Sequence, residues 1–185
     1  GGLSNRIHKL NEFSKLKLNY LIFAYRGFNG NDGKPTEEGL YVDANNTINW
    51  LKSKNILEKN IILYGESLGT AIAIHIGQNK KYAGIILEAP FTSMMDVGQK
   101  YYPFFPVRFL LKDKYESKKK IKNLKSPVLI MHGKRDKIVP FYMGQKMYEL
   151  LNSPKYKYFT ENDDHMMEFT NDLILNVDKF IKRLN

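Results

Sequence analysis

The sequence predicts an α/β architecture, a mostly parallel sheet flanked by helices, and three observations carry that prediction. Short apolar runs recur at 20–25, 61–64, 83–87, 127–132 and 156–159. Segments with helical spacing of apolar residues lie between them. Stretches dense in Gly, Asn, Asp and Pro fall at the junctions. Strands alternating with helices pair in parallel through right-handed crossovers. Runs that are apolar at every residue suit strands covered on both faces.

Taken in order, residues 1–6 read as the end of a loop, with Ser4 or Asn5 able to cap a helix. Ile7, Leu10, Phe13, Leu16 and Leu18 give an amphipathic helix, and 20–25 reads as a buried strand. Residues 26–35 (RGFNGNDGKP) must be a loop. Thr36 caps the next helix, with Glu37 and Glu38 in its first turn and Leu40, Ala44, Ile48 and Leu51 on one face. A strand at 61–64 leads into a helix over 67–79, and a third strand covers 83–87. Residues 91–125, rich in aromatics, Pro and Lys, break the rhythm and read as a short cap insertion whose aromatics pack on the core; the other reading of the segment is an acyl-binding wall that touches a membrane surface, its lysines facing lipid head groups. A strand at 127–132, a helix at 141–151, a strand at 156–159 and a helix at 171–184 complete one domain over 1–185.

Chemistry concentrates at strand ends. Tyr64-Gly65-Glu66-Ser67-Leu68-Gly69 joins a strand to a helix through Gly-x-Ser-x-Gly, the context of a nucleophile elbow. In such a turn Ser67 takes a strained backbone, and Gly65 and Gly69 leave room where a Cβ would collide. The helix N-terminus beneath Ser67 favours developing negative charge. The Leu68 N–H, next after the nucleophile, is the expected oxyanion donor. Glu66 is given no role.

A serine needs a base, and the base needs a partner to hold its tautomer. Of four histidines, His8 lies in the first helix and His75 two turns beyond Ser67. His132 ends a strand and reads as packed and satisfied. His165 follows the last strand in an acidic loop and is the expected base. Asp136 is the one acid of the 133–140 loop; Asp also favours turns in its own right. The order Ser67, Asp136, His165 is that of α/β-hydrolase triads.

Composition bounds the alternatives. The 185 residues include no cysteine, so there are no disulfides and no thiolate chemistry. The formal net charge is +10. The 118–120 lysine run reads as a solvated helix face, and with no aromatic-basic motif beside it no nucleic-acid partner is expected. No acids and histidines show metal-ligand spacing, and Gly27-Phe28-Asn29-Gly30 lacks the third Gly of a dinucleotide site, so neither metal nor cofactor is expected.

These residues resemble the α/β-hydrolase superfamily and, within it, the Bem46-like group with the α/β-hydrolase-domain 13 and 17 proteins. The matching stretches are Tyr25-Arg26-Gly27-Phe28 with Gly30, Gly33 and Pro35; Glu38-Gly39-Leu40-Tyr41 with Asp43-Ala44; the elbow; Glu88-Ala89-Pro90-Phe91-Thr92-Ser93; Tyr102-Pro103 with Pro106; His132-Gly133 with Asp136 and Val139-Pro140; and Asp164-His165. Ala24 and Asn31 depart from the Asp and Ser usual in the group. The resemblance implies Ser67 as nucleophile, Asp136 as acid and His165 as base. It also implies that the N-terminal strands and a His-Gly-Asn segment with the second oxyanion donor are missing from this chain.

The expected function is a serine hydrolase acting on an ester, thioester or small amide, with a small-molecule or acylated substrate. Two other readings stand beside it: a serine peptidase of the prolyl-oligopeptidase type, and a membrane-associated scaffold without turnover. The resemblance implies an N-terminal membrane anchor in some members, so a membrane partner through a missing N-terminal segment is an expectation. A cytoplasmic or membrane-associated location goes with it.

Overall fold

The structure is a computed structural model in which residues 6–184 are described. The expected loop at 1–5, with Ser4 or Asn5 as cap, lies outside them. Four parallel strands form the sheet in the order β1 (Ile62–Glu66), β2 (Gly84–Glu88), β3 (Val128–Gly133), β4 (Lys155–Thr160). Their carboxyl ends are in step, with Glu66 beside Glu88 and Gly133 beside Thr160.

Alternation along the buried strands divides the core into two layers. Ile85, Leu87, Val128 and Ile130 point to one face, where α3 (Leu68–Gly77) and α7 (Phe141–Leu150) cover them. α2 (Glu37–Ser53) packs outside α3 through Leu40, Ala44 and Ile48. Ile86, Leu129 and Met131 point to the other face, under α1 (Ile7–Ser14) and α8 (Asn171–Lys182). Each such side chain contributes about 1.5–3 kcal/mol by leaving water. The caps follow the sequence. Thr36 Oγ1 accepts from the Gly39 N–H at 3.2 Å, and Thr170 Oγ1 from the Leu173 N–H at 3.3 Å. No described helix is long and apolar enough to cross a membrane.

Three expectations are corrected. First, no strand forms over 20–25. Tyr20, Leu21 and Ile22 are exposed, while Phe23 and Tyr25 pack on the core. A strand needs a backbone ladder, and β1, the edge of the described sheet, pairs only with β2. Second, α1 stops at Ser14, and Lys17 at φ 53° turns the chain away before Leu18. Third, the aromatics of 91–125 do not all bury. That segment forms α4 (Met94–Tyr101), α5 (Val107–Leu110), α6 (Ser117–Lys120) and a 3₁₀ turn (Ile121–Asn123). Phe91 and Tyr115 are buried, but Phe104, Phe105 and Phe109 face solvent. Pro103 and Pro106 hold these residues on a short projecting connection that the sheet does not reach.

Candidate active site

The turn between β1 and α3 is as tight as its sequence implies. Ser67 has φ 50° and ψ −117°, a strained conformation for a side-chain-bearing residue. Its N–H donates to the Glu88 carbonyl at 2.9 Å, and its own carbonyl accepts from the Thr70 N–H at 2.9 Å. Gly65 is required, because a Cβ there would lie 2.4 Å from the Gly69 carbonyl oxygen. The expectation for Gly69 is corrected: a Cβ there would meet nothing within 4 Å. Its backbone, not its missing side chain, fills the space above Gly65. Leu68 opens α3, so its N–H has no partner within the helix.

Asp136 lies in the loop that leaves β3. Its Oδ1 accepts the N–H groups of Ile138 and Val139, both at 2.8 Å, which sets the turn and aims Oδ2 across the sheet edge. Oδ2 lies 2.8 Å from Nδ1 of His165. Nε2 of His165 lies 3.0 Å from Ser67 Oγ. The sheet thus brings together three residues drawn from three strand-end loops. The loop bearing His165 is held by short polar bonds: Thr160 Oγ1 donates to Asp163 at 2.9 Å, the Asp163 carbonyl accepts the Arg135 N–H at 3.0 Å, and Asp164 accepts the Met166 N–H at 2.9 Å.

The electrostatics follow from burial and pairing. Burial alone would raise the Asp136 carboxyl, but hydrogen bonds from His132, His165 and the Val139 N–H hold it well below the usual carboxylate range. Burial would lower His165, yet the hydrogen bond and charge of Asp136 outweigh it, and the imidazole sits above 6.5, its ordinary value. With Asp136 ionised, Nδ1 of His165 carries the proton and Nε2 accepts from the Ser67 hydroxyl.

His132 does more than pack. It is fully buried, and its Nε2–H reaches the Val139 carbonyl at 2.9 Å and Asp136 Oδ2 at 3.2 Å. Gly144 makes room for it, since a Cβ at 144 would lie 2.1 Å from the ring Nδ1. The sequence signal was available: His132 and Asp136 stand four residues apart across the end of one strand. Glu66, given no role beforehand, accepts from Arg6 and from Lys9, the latter at 2.5 Å. Lys9 also reaches Glu88 at 2.7 Å, and the Tyr64 hydroxyl donates to the same carboxylate. Glu88 is wholly buried, and burial raises its pKa against the pull of Lys9. His75 points away, stacked on Tyr41 with ring centres 3.6 Å apart. His8 lines a cleft of about 420 Å³ with Arg6, Lys9 and residues 166–170, just beyond His165. Among the described residues, no group of three or more acids and histidines could hold a metal ion.

An uncharacterized protein of Mycobacterium tuberculosis, Rv2307c, is 39% identical over 141 residues, covering 76% of this chain and 50% of that one. Human α/β-hydrolase domain-containing protein 17B is 31% identical over 159 residues, covering 82% of this chain and 52% of that one. The chain thus spans about half the length of these curated relatives. In fold it is similar to the Pyrococcus furiosus esterase Pf2001, with a TM-score of 0.77 at 20% identity, covering 96% of this chain and 76% of that one. The sequence model of the prolyl oligopeptidase family matches residues 35–181, most of the chain, from the helix before the elbow to the helix after His165. By that match, and by its parallel sheet, the chain belongs to the prolyl oligopeptidase family of α/β-hydrolases.

Proposed function

We propose that this chain carries the active site of a serine hydrolase that cleaves an ester, thioester or small amide through an acyl-enzyme. The observation that supports this is the unbroken relay from Ser67 Oγ through His165 to Asp136, at 3.0 and 2.8 Å. Ser67 Oγ attacks the acyl carbon while its proton passes to His165 Nε2. Negative charge on the carbonyl oxygen falls beside the Leu68 N–H at the start of α3. As the bond to the leaving group breaks, that group takes the proton from Nε2. Water then attacks the acyl-enzyme, giving its proton to Nε2; the bond between the acyl carbon and Ser67 Oγ breaks as Oγ takes that proton back, which releases the acid and restores the free serine and neutral His165. Asp136 stays ionised throughout and holds the imidazolium in place.

A fluorophosphonate probe tests the reading. Labelling at Ser67, abolished in Ser67→Ala, is expected, with turnover of p-nitrophenyl esters falling by on the order of 10⁴-fold or more. Labelling that persists in Ser67→Ala would end the proposal. The family match favours a second reading, a serine peptidase using the same three residues. Aminoacyl anilides against p-nitrophenyl esters separate the two: both enzymes cleave the activated esters, but only a peptidase also turns over the anilides appreciably.

A further inference from the structure

The connection between β2 and β3 carries a surface that the relay does not use. Between α4 and α5, Phe104 is 96% exposed, and on α5 Phe109 and Leu110 are 85% and 69% exposed. Phe105 beside them is also exposed. Of residues 101–110, Val107 alone is buried, and it anchors α5 while its neighbours face outward. Clustered apolar exposure of this kind marks an interaction site.

Its charge is one-sided. No carboxylate occurs from residue 97 to 112, whereas Lys100, Arg108 and Lys112 are exposed there. The acids at both ends are engaged: Asp96 pairs with Lys118 at 2.8 Å, and Asp113 accepts the Glu37 N–H at 2.8 Å. The Tyr101 hydroxyl donates to the Lys137 and Ile138 carbonyls, which ties this surface to the loop bearing Asp136. That loop adds the exposed cation of Lys137.

We propose that this surface docks the chain on an anionic lipid surface, with Phe104, Phe105, Phe109 and Leu110 entering the boundary below the head groups and Lys100, Arg108, Lys112 and Lys137 facing lipid phosphates. The shape favours lipid over protein. Phe104 projects from the tip of a connection, so a protein partner must supply a matching cavity, whereas a bilayer yields around it. Aromatic side chains ringed by lysine and arginine suit the head-group boundary, where the rings bury and the cations stay wet. The docking does not depend on turnover, and its test reads binding.

The chain has no cysteine, so a single introduced one carries a polarity-sensitive fluorophore. Phe104→Cys and Phe109→Cys are labelled, with Lys59→Cys, at the opposite end of β1, as the control. Vesicles of phosphatidylcholine with phosphatidylserine should shift emission to the blue at 104 and 109 and leave 59 unchanged. Phosphatidylcholine alone, or high salt, should weaken the shift. The double variant Phe104→Ser/Phe109→Ser should lower vesicle partition at least about tenfold, with thermal unfolding and hydrolysis of a soluble ester unchanged. An absent shift, an equal shift at 59, or partition unaltered by the double variant overturns the proposal. So does self-association in lipid-free buffer that the double variant abolishes, which would make a second copy the occupant.

Discussion

At the scale of single residues, Asp136 stands out for how many donors it holds. Two backbone N–H groups fill Oδ1, and two imidazoles converge on Oδ2. His165 is the partner expected from chain order; His132 is the one that a packing argument underrates. By sharing its Nε2–H between Asp136 and Val139, His132 fixes the carboxylate against the loop that carries it, and so acts as a positioning residue. His132→Leu should lower kcat about tenfold or more, the worth of one hydrogen bond to a charged group, while KM stays nearly constant. His132→Gln, which restores a donor near the Nε2 position, should recover much of the loss. A merely structural role predicts parallel losses of thermal stability in both variants and no selective effect on kcat. The raised pKa of His165 sets the pH dependence. In the proposed mechanism His165 must be neutral to act as base, so kcat/KM should fall as pH drops through a value above 6.5. Stability runs the other way. Below about 6.5 His165 is protonated in folded and unfolded chains alike, and the folded one gains from Asp136. That gain is lost as pH rises through the folded value. Asp136, depressed on folding, adds stability above about 3.9 that disappears as pH falls toward its folded value. An acid limb of kcat/KM centred below 6.5 would contradict the relay's electrostatics.

At the scale of elements, the question is what clamps α1 across the carboxyl ends of β1 and β2. Its apolar contacts come from Phe13, edge-on to Tyr64 and Phe169 at 5.3 Å. Its polar clamp is Lys9, whose ammonium lies between Glu66 and the fully buried Glu88. Removing one partner of a buried pair strands the other charge, at a cost of about 3–5 kcal/mol. Lys9→Met should therefore destabilise the chain by roughly that amount in denaturant unfolding, and Lys9→Met/Glu88→Gln should regain most of it, because the stranded carboxylate is gone. Equal stability of the single and double variants would show that Glu88 is already neutral and the clamp inert. None of this was legible in the sequence, since Lys9, Glu66 and Glu88 belong to separate elements and carry no spacing signal. The strands themselves were legible where the sheet supplies a neighbour, including the runs at 61–64 and 156–159 that form its two outer strands. The runs at 83–87 and 127–132 read as buried strands and are buried strands. The run at 20–25 looks no different in composition, yet a strand is a relation between segments, and β1 offers it no ladder. The aromatics of 101–110 misled for a related reason: apolarity says that a side chain would gain from burial, not that a partner lies within reach.

At the scale of the whole molecule, the three loops bearing Ser67, Asp136 and His165 open at one end of a four-stranded sheet, as parallel topology requires. Chain order and strand periodicity are enough to place those three loops at one end of the sheet. Among the described residues, β1 pairs on one side only. Tyr20, Leu21 and Ile22 are about half exposed, and a cleft of about 320 Å³ is lined by Leu21, Ile22 and Phe23 with Asn46, Thr47 and Trp50 of α2. Unpaired edges and contiguous apolar surface both favour association between copies. Trp50 is the single tryptophan of the chain and is 51% exposed, so it reports on this face without labelling. As the concentration of the 185-residue chain rises, its emission should move to the blue and acrylamide quenching should weaken, in step with a growing mass by light scattering. Trp50→Lys, watched by light scattering alone, should hold the chain monomeric to higher concentration, because it places a charge where the apolar surfaces meet. Phe104→Ser/Phe109→Ser should leave this association untouched, because that surface belongs to the connection between β2 and β3. A chain that stays monomeric, with Trp50 equally quenched at every concentration, would mean that the exposed edge is protected by its own twist and side chains rather than open to pairing.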